Sequence, residues 1–397
     1  MKWQRMKPQL MREAAKERVR ELNLRLKRLM PPSDADISSP PPVNVIRDEM
    51  HGHVAERAVI TLTSRGCEWA HSRKGSGGCT MCGHYKGTTR GKPLDQRALF
   101  DQFRTQLQGL NHGSIEWLCL YNSGSFLSPE EVPPETRRNI YDLVADFPNI
   151  RRLTIETRPE FVNQSVLKEI NRYLGQIEVE IGIGIETVND TVRDLCINKG
   201  YGYSEFCAAV DLINEHHLKP LAYALMKPAF MTEYEAILNT LCSVAHAIES
   251  GVKVVSIEPG SIQDYTLLDY LRRGGCYDPP MIWSVIEVVK MINHMVTLGD
   301  SSLKFPNTPE LRMGGYVFFP VPLEFSQNCP ECNERAMGLI EQFNLKNDIS
   351  VFEGYQCACR GQWLERLRDR KPPYAVRIHS TLDELEQKNT ISSFIGR

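Results

Sequence analysis

Six short apolar runs punctuate the chain between residues 59 and 258, and five longer stretches with helical periodicity lie between them. The runs span 59–63, 115–121, 153–157, 177–185, 221–226 and 252–258, and all are rich in Val, Ile, Leu or Tyr, residues that favour extended backbone. The periodic stretches span 94–107, 134–147, 164–174, 204–215 and 232–249. Pro134 suits the first turn of a helix, and Thr232 with Glu235 has the spacing of a capping box. Regular alternation of strand and helix predicts an α/β fold with a parallel sheet, closed as a full or partial TIM-like (β/α)6 barrel. In such a barrel the chemistry sits on the loops after the C-terminal ends of the strands. A doubly wound open sheet is the rival, but no G-x-G-x-x-G and no P-loop follows the first run.

The polar clusters fall at those strand ends. After the first run comes TLTSRGCEWAHSRKGSGGCTMCGHY (residues 61–85), which gathers Cys67, Cys79 and Cys82, with eleven residues between the first two. Three close thiols suit a metal: four would complete a closed site, whereas three leave one position open. Half of a zinc ribbon is the alternative reading, and a redox C-x-x-C pair would leave Cys67 without a role. The second run ends in Tyr121-Asn122-Ser123-Gly124-Ser125, which offers backbone donors and hydroxyls with little bulk to a small polar ligand; a plain turn reads equally well. The third ends in Glu156-Thr157-Arg158-Pro159-Glu160, charge that packing alone would not place on a buried strand. The fourth ends in Gly182-Ile183-Gly184-Ile185-Glu186, where glycines permit close approach and Glu186 faces the same mouth.

A second cysteine set lies near the C-terminus, where Cys329-x-x-Cys332 and Cys357-x-Cys359 are separated by 24 residues, a plausible four-thiolate zinc site in a small module. With 12 cysteines and no apolar run near the ~20 residues that span a bilayer, the composition predicts a cytoplasmic protein whose thiols serve metals rather than disulfides. Cys119, Cys196, Cys207, Cys242 and Cys276 lie in apolar contexts and read as core. The net charge of -2 hides an asymmetry: residues 1–30 hold ten Lys or Arg against three Glu, +7, so the rest of the chain carries -9. Such an arm suggests a polyanionic partner, the alternative being an amphipathic helix docked through Leu22, Leu26 and Leu29. Prolines between 31 and 42 separate it from a body beginning near Val59. Three parts are expected: an arm and linker (1–50), a barrel (51–310) and a cysteine module with tail (311–397).

IETRPE (155–160), GIGIET (182–187) and the cysteine stretch together resemble the radical S-adenosylmethionine enzymes, in the branch of the elongator catalytic subunit and the tRNA methylthiotransferases. The resemblance covers about residues 59–258. It implies that Cys67, Cys79 and Cys82 hold a 4Fe-4S cluster and that Tyr121–Ser125 meets the methionine end of S-adenosylmethionine. Met81 would cover its adenine, Glu186 would reach its ribose, and Glu156, Arg158 and Glu160 would lie near cofactor or substrate. The eleven-residue spacer is longer than usual for the family, and the position of Met81 is commonly aromatic there. With no second large domain, a basic arm and a four-cysteine module, the chain is similar to the archaeal radical enzymes that make archaeosine in tRNA. That likeness implies three partners: a tRNA bearing a lysine adduct, a lysine transferase subunit and an external electron donor. Another radical enzyme acting on a different tRNA base or a small metabolite, and a non-catalytic zinc and RNA-binding protein, are the alternatives.

Overall fold

One sheet runs in sequential order through β1 (Asn44–Met50), β2 (His53–Thr61), β3 (Ile115–Tyr121), β4 (Arg152–Thr157), β5 (Glu178–Gly184), β6 (Lys219–Met226), β7 (Val254–Pro259) and β8 (Glu310–Met313). The computed structural model describes residues 7–395 apart from 34, 36, 38, 39, 73, 76, 112, 299–308 and 316–319. Lys2 and Arg5 of the basic arm lie outside the described residues. Strands β2 to β8 are parallel, and β1 adds to β2 as an antiparallel hairpin turned at His51-Gly52, both in the left-handed region. The six expected strands are β2 to β7. The body therefore begins at Asn44 rather than near Val59, and β1 and β8 flank the barrel strands.

The helices are α1 (Pro8–Leu29), α2 (Glu68–His71), α3 (Gln96–Gln108), α4 (Pro134–Asp146), α5 (Gln164–Leu174), α6 (Asp190–Val192), α7 (Tyr203–Glu215), α8 (Glu233–Glu249), α9 (Leu267–Arg273), α10 (Ile282–Leu298), α11 (Asn333–Lys346), α12 (Arg360–Arg366) and α13 (Tyr374–Gln387). Their starts follow from local chemistry: Asp95 and Asn163 cap α3 and α5, and Thr232 with Glu235 forms the capping box of α8. Alternate residues of the strands divide between two environments. Ala58, Ile60, Leu118, Leu120, Leu153, Ile155, Ile181, Ile183, Val255 and Ile257 join the core under the helices. The opposite face is the concave interior, where Val59, Trp117, Cys119 and Tyr121 pack together.

Lower in that interior sits a buried ion network that no apolar pattern announces. Glu180 is fully buried and accepts from both terminal nitrogens of Arg312 at 2.9 and 2.8 Å and from the Thr154 hydroxyl at 2.8 Å. Arg152, Lys219, Glu178 and Glu310 surround it. The guanidinium groups of Arg57, Arg152 and Arg312, from β2, β4 and β8, lie 4.8, 4.6 and 4.4 Å from the Trp117 ring, so the sheet is curled tightly enough for its distant strands to meet on β3. Helix α11 touches both edge strands and covers the seam between β1 and β8, with Asn344 bonding the backbone of Met313 in both directions.

Neither appendage stands apart. Helix α1 and the Met30 that follows it bury Ala15, Val19, Leu26 and Met30 against the segment 192–197, α9 and α13. The cysteine segment shares one continuous core with the barrel through Ala336, Ile340, Phe343, Phe352 and Trp363. Cys119 and Cys196 are buried, whereas Cys242 is exposed on α8 and is not core. Among the described residues no helix is long and apolar enough to cross a membrane.

Candidate functional site

The cysteine loop follows β2 and folds over the C-terminal ends of the strands. Cys67, Cys79 and Cys82 are each half-buried. Cys79 and Cys82 share a tight turn, with the Cys82 amide donating to the Cys79 carbonyl at 3.2 Å. Their spacing differs from a single-ion site: among the described residues, only Cys329, Cys332, Cys357 and Cys359 bring three or more ligand atoms within 4.8 Å of one another. Burial, with help from Glu131, pushes the Cys67 thiol up to about 12, and burial also raises Cys79, while Lys199 and Arg158 pull Cys79 down. Thiols in this environment need cationic or metal compensation to ionise.

The loop is held from three sides. Thr80 bonds the backbone of Ile197 and Cys196, and its carbonyl accepts from the Leu267 amide. Asn198 donates to the carbonyls of Gly75 and Gly78 at 2.7 and 2.8 Å. The polar stripe of α1 supplies the third side: Arg20 donates to the Lys74 carbonyl at 2.6 Å, Asn23 to Gly78 at 3.0 Å and Lys27 to Cys82 at 2.6 Å. Positions 20, 23 and 27 fall on one helix face, so one α-helix holds the loop at Lys74, Gly78 and Cys82.

At the end of β3, Ser123 has a positive φ of 56° and turns the chain beneath Cys67, where a Cβ on Gly124 would lie 3.0 Å from the Cys67 Cα. The buried carboxylate of Glu131 organises this turn. One oxygen accepts from the Ser125 amide at 2.5 Å and the Asn122 side chain at 3.1 Å, and the other from the Glu68 amide at 2.8 Å. Asn122 Oδ1 and Ser125 Oγ remain buried with no hydrogen-bond partner. Orphaned acceptors of this kind are costly and mark a place for a polar ligand or water. Met81 is half-buried against the α1 and α9 core.

Around the mouth, Glu156 stands beside Tyr223 and Glu258, and burial pushes the carboxyls of Glu156 and Glu258 up to about 7. Glu186, in the left-handed region at φ 54°, pairs with Lys199 at 2.6 Å. The glycines preceding it serve neighbours within the chain: a Cβ on Gly182 would lie 2.6 Å from the Tyr223 ring, and one on Gly184 would collide with the Glu186–Lys199 pair. Arg158 is buried between the rings of Trp69 and Tyr201 at 5.1 and 4.9 Å and bonds the Lys199 carbonyl at 3.0 Å. Glu160 is exposed and pairs with Arg158 at 2.6 Å, so it faces away from the interior that Glu156 lines. Glu131, Lys199, Tyr223, Glu258 and Lys27 were not apparent in the sequence. Period-two alternation in the fifth and sixth runs would have pointed to Tyr223 and Glu258; the other three have no local signal.

The second cysteine set is brought together, with Sγ atoms 3.5, 3.5 and 3.6 Å apart for the pairs 329–332, 329–357 and 332–359. Four thiolates about 2.3 Å from a tetrahedral zinc stand roughly 3.8 Å apart, so the set fits that ion. The Trp283 indole donates to Cys359 Sγ at 3.2 Å and stacks on Tyr355 at 4.4 Å. From there Trp363 bonds Ser284, Ser284 bonds Glu233, and Glu233 pairs with Lys227 just after β6, which ties the cysteine set to the barrel mouth.

No protein-family model matches the chain. Archaeosine synthase subunit beta of Thermococcus kodakarensis is 29% identical over 321 residues, 80% of this chain and 93% of that protein. The Methanosarcina acetivorans protein of the same name is 25% identical over 331 residues, 83% and 90% respectively. The chain is a homologue of archaeosine synthase subunit beta. An uncharacterized protein of Methanocaldococcus jannaschii is 29% identical over 318 residues, 78% of this chain and 81% of that one. A solved structure of Methanocaldococcus infernus Elp3 superposes with a TM-score of 0.43 at 17% identity, covering 62% of this chain and 59% of that one.

Proposed function

We propose that this chain is a radical S-adenosylmethionine enzyme of tRNA modification that breaks the C–N bond of the lysine adduct of preQ0 at tRNA position 15, leaving archaeosine. The likeness to two archaeosine synthase beta subunits over four fifths of the chain carries this reading. A lysine transferase subunit would furnish the adduct, and an external donor the electron.

The residues present fit the cofactors. Cys67, Cys79 and Cys82 would hold a 4Fe-4S cluster, because their spacing is too wide for one ion and no fourth cysteine belongs to the group. The orphaned Asn122 Oδ1 and Ser125 Oγ, with Tyr121, Ser123 and Gly124, would receive the polar end of S-adenosylmethionine; Glu186 and Met81 flank it. When bound, these groups supply one-electron chemistry that removes a hydrogen atom from the substrate. The remaining work belongs to the chain. Glu156 and Glu258 would meet the cationic lysine arm, where their carboxyls, near neutrality in pKa, gain by ionising against an ammonium. Arg158 would act from behind, fixing the cysteine loop through Trp69 to the Lys199 segment that precedes α7, with Glu160 holding it in place. A radical on the lysine arm one carbon removed from the C–N bond would let that bond break by fragmentation, leaving an alkene on the lysine-derived fragment and, once the external donor supplies an electron and solvent a proton, the amidine on the base. Cys329, Cys332, Cys357 and Cys359 would bind zinc, bracing the mouth through Trp283. Arg360, Arg366, Arg368, Arg370 and Lys371, exposed on and after α12, would meet tRNA phosphates.

Anaerobically reconstituted protein should convert lysine-adduct tRNA to archaeosine tRNA, read by nucleoside mass spectrometry, and leave adduct-free tRNA unchanged. Reductive cleavage of S-adenosylmethionine with no archaeosine formed would overturn the substrate assignment, and a protein without iron would overturn the enzyme class.

A further inference from the structure

Helix α1 docks through Leu22, Leu26 and Leu29, the alternative to a polyanion-binding arm, and it carries one charge into the interior. Lys27 is only 7% exposed, and its Nζ lies 2.6 Å from the carbonyl oxygen of Cys82. Among the described residues no carboxylate pairs with it; the acid in its surroundings, Asp264, is bound to Lys86 at 3.0 Å. A buried ammonium with only a carbonyl partner is costly unless an anion stands beside it. The sulfurs of Cys82 and Cys79 are the groups in its surroundings that would be negative as ligands of a metal. Asn23, fully buried on the same stripe, and Arg20 bond the spacer and fix this part of the helix against the loop.

We propose that Lys27 is the counter-cation of the iron-sulfur site, a positioning residue whose charge makes the cluster held by Cys67, Cys79 and Cys82 easier to reduce. The inference rests on the cluster reading above. Three thiolates on a cluster core leave the site net negative, and reduction adds one more negative charge, so a fixed cation nearby stabilises the reduced form more than the oxidised one. Arg158 and Lys199 approach Cys79 from the barrel side, but each has a carboxylate of its own in Glu160 and Glu186, whereas Lys27 contacts the backbone of a cysteine and, among the described residues, pairs with no carboxylate.

The test is an anaerobic redox titration of the reconstituted full chain, followed by electron paramagnetic resonance without S-adenosylmethionine, on wild type, Lys27→Met and Lys27→Arg. At the wild-type midpoint the reduced-to-oxidised ratio of Lys27→Met should fall about tenfold, a shift of about 59 mV to more negative potential for one electron. Lys27→Arg should restore most of it. Loss of iron in Lys27→Met with retention in Lys27→Arg would also support the role. An unchanged midpoint in Lys27→Met, or equal loss of iron in both variants, would overturn it. Wild type lacking a cluster would instead refute the underlying reading.

Discussion

Replacing Glu180 with Gln tests whether the buried ion network holds the barrel together. The side chain is fully buried on β5 and receives Arg312 through two hydrogen bonds, while Arg152 and Lys219 stand 3.4 and 3.3 Å away. The amide keeps one acceptor for Arg312 but turns an NH2 toward cations and removes the charge that offsets them. Breaking one partner of a buried ionic set costs about 3–5 kcal/mol, and we take the lower figure because Glu178 and Glu310 remain. At about 2 °C per kcal/mol for a large chain, the melting temperature at pH 7 should drop by about 6 °C. The sign of the pH dependence is fixed by the same contacts. Arg312, Arg152 and Lys219 overcome the burial penalty and hold the Glu180 carboxyl far below the usual carboxylate range. Its contribution is therefore fully present above the unfolded-state value and is lost as pH falls through the folded-state value. Calorimetry at pH 7 and in acid should show the wild-type advantage constant near neutrality and shrinking only at strongly acidic pH. A variant melting within about 1 °C of wild type at pH 7 would refute the assignment, because the network would then contribute no more than a surface pair.

Glu258 should behave in the opposite sense. Burial raises its carboxyl to about 7, so wild type loses stability as pH rises from the ordinary carboxylate range through 7, and Glu258→Gln should melt higher than wild type at pH 8 but not at pH 5. The two cysteine sets should separate by metal analysis: alanine at Cys67, Cys79 or Cys82 should remove iron and leave zinc, whereas alanine at Cys332 or Cys359 should remove zinc and lower the melting temperature, since Trp283 and Trp363 pack there. Glutamate in place of both Arg370, which lies 4.1 Å over the Tyr234 ring, and Lys371 should weaken tRNA binding and reduce its log-log salt slope by about 2 in filter-binding titrations. An unchanged slope would place the tRNA elsewhere.

The strands that were legible in the sequence are those whose outer face carries large apolar residues packed under the helices. Strands β3 and β4 agree with their apolar runs to within one residue, and α5 agrees with its periodic stretch, because each packs against the main core along its length. Strands β1 and β8 were not legible. NVIRDEM and ELRM direct charges such as Asp48, Glu310 and Arg312 into the concave interior, and a charged inward face has the same pattern as a solvated one. The cysteine sets were readable because thiols at fixed spacing have few other uses. Lys27 was counted among ten basic residues, and only the packing of α1 sets it apart from the rest.

The docking of α1 also fixes an order of events. Arg18 reaches Asp383 and Glu386 on α13, and His379 on that helix approaches the carbonyl of Met11, pairings that close over some 365 residues of chain. Contacts so distant in sequence form late. During synthesis α1 leaves the ribosome before the barrel strands do, but part of its binding surface does not exist until residues 374–387 follow. The loop bearing Cys67, Cys79 and Cys82 is thus made while its outer cover is still undocked, so the cluster proposed for it would be inserted before the last long helix arrives.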